Sequence, residues 1–205
     1  VRDTLEFVAS FRERWNRETE QALLDRFGLD PGIKASHLSK GQRTQLALVT
    51  AICPGPELLI LDEPTSGLDP IVRREFIQTI IGTYQDEKPG QRTVFVSTHL
   101  IAEFEGLIDE FTIIEQGRGV LTMDADEARS RYQRITARFS SEPKDLDLGG
   151  AQMVRRGARE VEVIVNGNAT DVMARLTARS PESLTAESLT LEEIFVATLQ
   201  PRGVM

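Results

Sequence analysis

Cysteine, tryptophan and histidine are nearly absent from this chain: one, one and two of them among 205 residues. A single cysteine, Cys53, excludes an internal disulfide, and without a neighbouring Cys or His pair it offers no zinc-type ligand set. It is expected to be a buried, inert thiol at a helix end, the usual fate of a free cysteine. No apolar run approaches the ~20 residues that span a bilayer, and the start, Val1-Arg2-Asp3-Thr4-Leu5-Glu6, lacks a signal-peptide pattern. Any membrane association is therefore expected to come through a partner. Basic residues are in deficit, 24 against 32 acidic ones for a net charge of −8, so the summed field repels phosphate backbones and no nucleic-acid partner is expected. Nowhere does Gly-x-x-x-x-Gly-Lys-Ser/Thr occur, the loop whose backbone amides and lysine cradle phosphates. Asn168-Ala169-Thr170 matches the glycosylation sequon, a pattern short enough to arise by chance.

What is present is an ordinary globular composition, 40% hydrophobic, in a chain long enough to bury a core. Leu5, Val8, Phe11, Trp15, Ala22, Leu23 and Phe27 recur at helical intervals and predict two amphipathic helices ending near Gly28. Lys40 to Ile52 predicts a third, stopped by Pro54-Gly55-Pro56. Short apolar strands then alternate with helices, which argues for a parallel sheet. Leu58 to Leu61 is apolar enough to be buried on both faces, and Thr93 to Ser97 reads as a second buried strand. Between them Asp69-Pro70 opens a helix whose inner face is Ile77, Ile80, Ile81 and Tyr84, followed by a loop ending at Gly90. Leu100 to Leu107 is expected to be helical, and Phe111–Glu115 with Val120–Met123 to form a hairpin around Gly117. After a short helix from Asp124 to Tyr132, strands are expected at Ile135–Phe139, Ala151–Val154, Glu160–Val165 and Ser183–Leu189, with a helix over Asp171–Ala178. Thr190-Leu191-Glu192-Glu193 is a capping box opening a last helix, Leu191 to Leu199.

Two local patterns carry chemistry. A buried strand ending in Asp62-Glu63 places two carboxylates at the carboxyl edge of a parallel sheet, where ligands bind in such folds, and alternating side-chain direction gives them different tasks. Ser39-x-x-Gln42 is a capping box, and the helix start it marks is also suited to an anion, with Gly41 allowing close backbone approach. His99 follows the second strand in Val96-Ser97-Thr98-His99, whereas His37 has no motif around it.

Leu38-Ser39-Lys40-Gly41-Gln42, Leu58-Leu59-Ile60-Leu61-Asp62-Glu63-Pro64 and Ser66-Gly67-Leu68-Asp69, in this order and spacing, closely resemble the signature loop, Walker B strand and D-loop of ABC transporter ATPases. The resemblance implies an α/β fold: a partial P-loop NTPase-type ABC ATPase domain over 1–132, followed by a small α+β accessory domain over 133–205. Within the first, 1–54 would be the helical and signature subdomain and 55–132 the Walker B, D-loop and switch-histidine part. It also implies ATP and magnesium as cofactors. Asp62 would hold magnesium, Glu63 would act as base on the attacking water, and His99 would contact the γ-phosphate. Ser39, Gly41 and Gln42 would close over ATP held on a facing subunit, and Asp69 would link the two sites across the dimer. Lys40 stands where the commonest form of the signature has glycine. The implied partners are a membrane permease and a second ATPase subunit, with the chain cytoplasmic and peripheral at the inner membrane face. The tail Leu189-Thr190-Leu191-Glu192-Glu193-Ile194-Phe195 resembles the extension of ABC-2-type exporter ATPases, which implies export.

Residue 1 falls where the family's glutamine loop would just have ended, so the chain is expected to be a portion that does not hydrolyse ATP alone. Without a phosphate-loop strand beside it, Leu58–Leu61 is expected to keep an unpaired edge and exposed apolar surface. One alternative is a regulatory module that lends its signature loop to a complete partner ATPase. Another is the carboxyl lobe of a chromosome-maintenance ATPase, against which stand Pro64-Thr65-Ser66-Gly67, the charge of −8 and the lack of a heptad coiled coil before Leu38.

Overall fold

A computed structural model of the chain describes residues 1–85, 92–143, 146, 148–149, 151 and 153–199, with the backbone alone for 84, 85 and 153–156. The expected loop end at Gly90 and the Tyr84 side chain lie outside the described residues. Two compact units divide the chain, Val1–His99 and Leu100–Met205.

The first unit is built from local signals. Helices α1 (Arg2–Ser10) and α2 (Arg17–Phe27) form where expected. Asn16 caps α2 by accepting the Thr19 N–H at 3.0 Å, and Gly28 ends it in the left-handed region at φ 61°. There the Leu29 N–H reaches back to the Leu24 carbonyl, a bond that a residue with Cβ would make only under strain. Helix α3 (Lys40–Ile52) opens on the capping box expected of Ser39 and Gln42. Strand β1 (Leu58–Asp62), helix α4 (Pro70–Gln85) and strand β2 (Thr93–Ser97) follow. β1 and β2 pair in parallel, Leu58 opposite Thr93 through Asp62 opposite Ser97.

Leu5, Leu23, Leu24, Phe27, Leu46, Leu48, Val49, Ile52, Leu59, Phe76 and Ile80 form the core of this unit. Each such side chain contributes about 1.5–3 kcal/mol when fully buried. Along α4 the deepest apolar residue is Phe76, and Ile77, expected on the inner face, is only half-buried. A second departure concerns β1. Leu59 is buried, but Leu58 and Ile60 are 52% and 67% exposed and Phe95 across the ladder is 58% exposed. Among the described residues the sheet has two strands, and the core packs on one face only, so burial on both faces fails while the exposed apolar surface expected of a strand without a phosphate-loop neighbour is present.

The second unit opens with a single helical turn, α5 (Ile101–Phe104), where a helix to Leu107 was expected. The hairpin of β3 (Glu110–Glu115) and β4 (Arg118–Asp124) turns through Gln116 and Gly117, both at positive φ. Asp124 caps α6 (Ala125–Arg131), accepting the N–H groups of Asp126 and Glu127 at 2.9 Å. A four-stranded antiparallel sheet in the order β6-β7-β5-β8 comprises β5 (Tyr132–Arg138), β6 (Met153–Arg156), β7 (Glu160–Asn166) and β8 (Ser183–Ser188). β6 thus runs two residues later than the expected Ala151–Val154.

Helix α7 (Ala169–Thr177) covers one sheet face through Val172 and Leu176, against Ile135, Ala137, Val161, Val163 and Val165. On the other face α8 (Leu191–Leu199) packs Leu191, Ile194 and Ala197 with Tyr132 and Ile164. Ile101, Ile108, Phe111, Leu121 and Met123 join this second cluster. That shared core is why the compact unit begins at Leu100, ahead of the expected boundary near Gln133. Arg134 ties β5 to β8 and α8 by hydrogen bonds to Glu187 at 3.2 Å and Glu193 at 2.6 Å. Burial alone would push the Glu193 carboxyl up, but bonds from Thr190 and Arg134 outweigh it and hold it below its usual range.

Candidate functional site

The carboxyl ends of β1 and β2 bring the candidate acids together. Parallel pairing sets Asp62 beside Ser97, and the Ser97 hydroxyl donates a short hydrogen bond to Asp62 Oδ1. One residue further the ladder continues, the Glu63 N–H donating to the Ser97 carbonyl at 2.8 Å. Glu63 then turns sharply, at φ 44°, in the left-handed region that a side chain enters only at a cost. This turn carries its carboxylate back across the end of β2. There Oε1 accepts the His99 N–H at 3.0 Å and lies 2.8 Å from His99 Nδ1, while Thr98 Oγ1 is 3.5 Å from Oε2. The His99 side chain remains 69% exposed and that of Glu63 39% exposed, so both face solvent.

Beyond Glu63 the chain runs through two turns, Ser66 N–H to the Glu63 carbonyl and Leu68 N–H to the Thr65 carbonyl. Pro64, Thr65 and Leu68 are buried beneath this loop. It ends at Asp69, whose Oδ1 accepts the N–H groups of Ile71 and Val72 at 3.1 and 3.2 Å and so caps α4.

Ser39, Gly41 and Gln42 meet this loop from the other side. Ser39 Oγ accepts the Gln42 N–H at 3.2 Å, and Gln42 Oε1 accepts the Ser39 N–H at 3.0 Å. Gly41 lies so close to α4 that an added Cβ would sit 3.4 Å from Val72 Cγ1 and 3.8 Å from Leu68 Cδ2. Lys40 extends over Gly67, itself at φ 70°, where an added Cβ would fall 2.2 Å from the Lys40 ammonium. Glycine suits position 67 for its conformation, since the lysine end could swing away but the positive φ would remain. The residues expected to act together therefore fall into two groups, Asp62–Glu63–His99 and Ser39–Gly41–Gln42, joined by the loop that ends at Asp69.

Ser97 and Thr98 were not singled out by sequence. The only signal was a pair of hydroxyl residues before His99, and its meaning depends on the register between two strands 35 residues apart. Among the described residues no three or more His, Cys, Asp or Glu side chains gather as a metal cage. The donors that are present, a carboxylate and a hydroxyl oxygen, suit magnesium, which takes one or two carboxylates and fills its octahedron with water and phosphate oxygens. No described helix is long and apolar enough to cross a membrane.

Comparison with known proteins bears on what such a site belongs to. The family described as "AAA domain, putative AbiEii toxin, Type IV TA system" matches residues 9–104. The ABC transporter ATP-binding protein YtrB of Bacillus subtilis is 24% identical over 179 residues, covering 85% of this chain and 59% of the relative. A fluoroquinolones export ATP-binding protein of Mycobacterium tuberculosis is 31% identical over 163 residues, covering 77% of this chain and 48% of the relative. The chain thus spans about half the length of these relatives. A solved structure of an ATP-binding subunit of an ABC transporter is 27% identical, covers 63% of this chain and 54% of that one, and superposes with a TM-score of 0.53. The chain is thus similar to ATP-binding proteins of ABC transporters over about half of their length, and it shares an α/β fold with the ATP-binding subunit of one of them.

Proposed function

We propose that this chain supplies the water-activating acids and the signature loop of an ATP-hydrolysing assembly that powers export through a separate membrane permease, paired with a second ATPase subunit; with no phosphate-loop motif among its residues it is not expected to hydrolyse ATP alone. The observation that carries the reading is the Glu63–His99 contact at the ends of two parallel strands, with Asp62 beside it. Support for export comes from relatives named for it, among them the fluoroquinolones exporter. In this reading the chain lies peripherally at the inner face of the cell membrane.

ATP with magnesium supplies the phosphoryl group and the positive charge that stabilises the leaving oxygens. Asp62 would be the residue that holds the magnesium ion. Glu63 accepts a proton from the attacking water. His99, whose backbone N–H donates to Glu63 Oε1, fixes the direction of that carboxylate and brings its ring beside the γ-phosphate. Ser39 and Gln42 hold the start of α3 rigid, so that its free N–H groups meet phosphate oxygens held by the facing subunit. Asp69, already fixed as the cap of α4, places the loop between the two groups of residues at the subunit contact.

The test is ATP turnover in membranes from cells that make this chain together with the partner ATPase subunit and the permease. Glu63→Gln, which removes the base and keeps the shape, is expected to lower turnover by about 10²-fold or more. His99→Ala is expected to lower it as well. Turnover that survives Glu63→Gln unchanged would overturn the proposal.

A further inference from the structure

We infer that Ser97 is a positioning residue for the ion-binding carboxylate, an inference that rests on the reading of Asp62 as the magnesium ligand. Three observations lead to it. Ser97 and Asp62 are register partners at the last rung of the parallel ladder, so their side chains leave the sheet on the same face. The Ser97 hydroxyl donates to Asp62 Oδ1. Its carbonyl accepts the Glu63 N–H at 2.8 Å, at the residue where the chain turns to φ 44°.

One residue therefore holds both acids by separate groups, Asp62 through its side chain and Glu63 through its backbone. An aspartate at the exposed end of a strand would otherwise sample several χ1 and χ2 states, and an ion would have to select one of them. A carboxylate anchored through Oδ1 offers Oδ2 in a fixed direction, and the cost of ordering is met before the ion arrives. The hydroxyl itself carries a second oxygen donor into the coordination sphere or its water shell. Its pairing with an ionised acceptor makes this bond one of the stronger kinds. The next rung on the same face, Ile60 opposite Phe95, offers no hydrogen-bonding side chain that could take over the role.

Manganese(II) alone serves as the probe, read on the 205-residue chain by paramagnetic broadening of the Asp62, Glu63 and Ser97 amide signals. In the unaltered chain these signals are expected to broaden ahead of those beside other surface acids, and Asp62→Asn is expected to abolish that preference. Ser97→Ala is expected to raise the manganese concentration for half-broadening about fivefold, the cost of ordering one side chain that is no longer held in advance. Ser97→Thr, which keeps the hydroxyl, is expected to restore the response to within about twofold of the unaltered chain. Should Ser97→Ala not fold, Ser97→Cys, similar in shape but a poor donor, is expected to show the same weakening. Broadening that depends on Asp62 but is unchanged in Ser97→Ala or Ser97→Cys would overturn the role of Ser97 and leave Asp62 as ligand. Failure of Ser97→Thr to restore it would overturn the role of the hydroxyl. No preferential broadening in the unaltered chain would overturn the reading of Asp62, and this inference with it.

Discussion

Glu63 is held in a conformation that opposes its own chemistry, and two substitutions at this position measure that opposition. Glu63→Ala and Glu63→Gly both remove the carboxylate and with it the contacts to the His99 N–H, His99 Nδ1 and Thr98. They differ only in a Cβ at φ 44°. An L-residue in the left-handed region costs about 1–2 kcal/mol, and glycine gives back about 0.5–1 kcal/mol through its greater freedom in the unfolded chain. The glycine variant should therefore be the more stable by about 0.5–1 kcal/mol. With a urea slope of about 2 kcal/mol/M this moves the midpoint up by about 0.3–0.5 M relative to alanine. Trp15, the only tryptophan, packs against the core of the unit that carries Glu63, so its fluorescence follows the relevant transition. The slope itself should not change, since both variants expose the same surface on unfolding. Equal midpoints, or a higher one for alanine, would refute the claim that the backbone is strained here. A confirmed difference would mean that folding energy is used to aim this side chain, as at sites where function and local preference conflict.

Two further outcomes follow from other residues. Ser39→Ala should cost about 1 kcal/mol by removing half of the reciprocal cap on α3, and Gln42→Ala should cost less on its own. Denaturation of the single and double variants should show the two losses to be less than additive, because either change opens the same box. Burial pushes the Cys53 thiol from its usual 9.0 up to about 12, helped by the nearby Glu20 charge and opposed by Arg17. Because the folded chain holds this proton more tightly, its stabilising contribution is complete below about 9 and is lost as pH rises toward about 12. Trp15-monitored denaturation should show stability declining over that window, and Cys53→Ala should decline less; identical profiles would refute the assignment.

Much of the architecture was legible because it depends on neighbours in sequence. Ser39 with Gln42, Thr190 with Glu193, and Asp69 before Pro70 each stop or start a helix through atoms no more than three residues apart, and each forms as read. The bounds of β2 at Thr93 and Ser97 and of α8 at Leu191 and Leu199 were also correct. Less legible were elements whose limits depend on distant packing. The apolar run of β1 by itself reads as doubly buried, because hydropathy cannot say how many faces will find a partner; only the missing phosphate-loop motif pointed to the exposure of Leu58 and Ile60. Likewise the periodicity after Leu100 suggests two helical turns, but α5 ends at Phe104, whose side chain is already buried.

The sequence by itself determined which residues could carry chemistry and where each stands within its own element: Asp62 and Glu63 closing a strand, Ser39 opening a helix, His99 just past a second strand. Only the tertiary structure decided which of them meet. The register that sets Asp62 against Ser97, the left-handed turn that lays Glu63 on His99, and the reach of Lys40 across Gly67 all join segments 27 or more residues apart. Helix caps and strand periods arise from a few consecutive dihedrals, so local chemistry suffices to specify them. Contacts between strands, and between a helix start and a distant loop, exist only after the core has closed around Leu59, Val49 and Phe76 and brought their backbones to fixed positions.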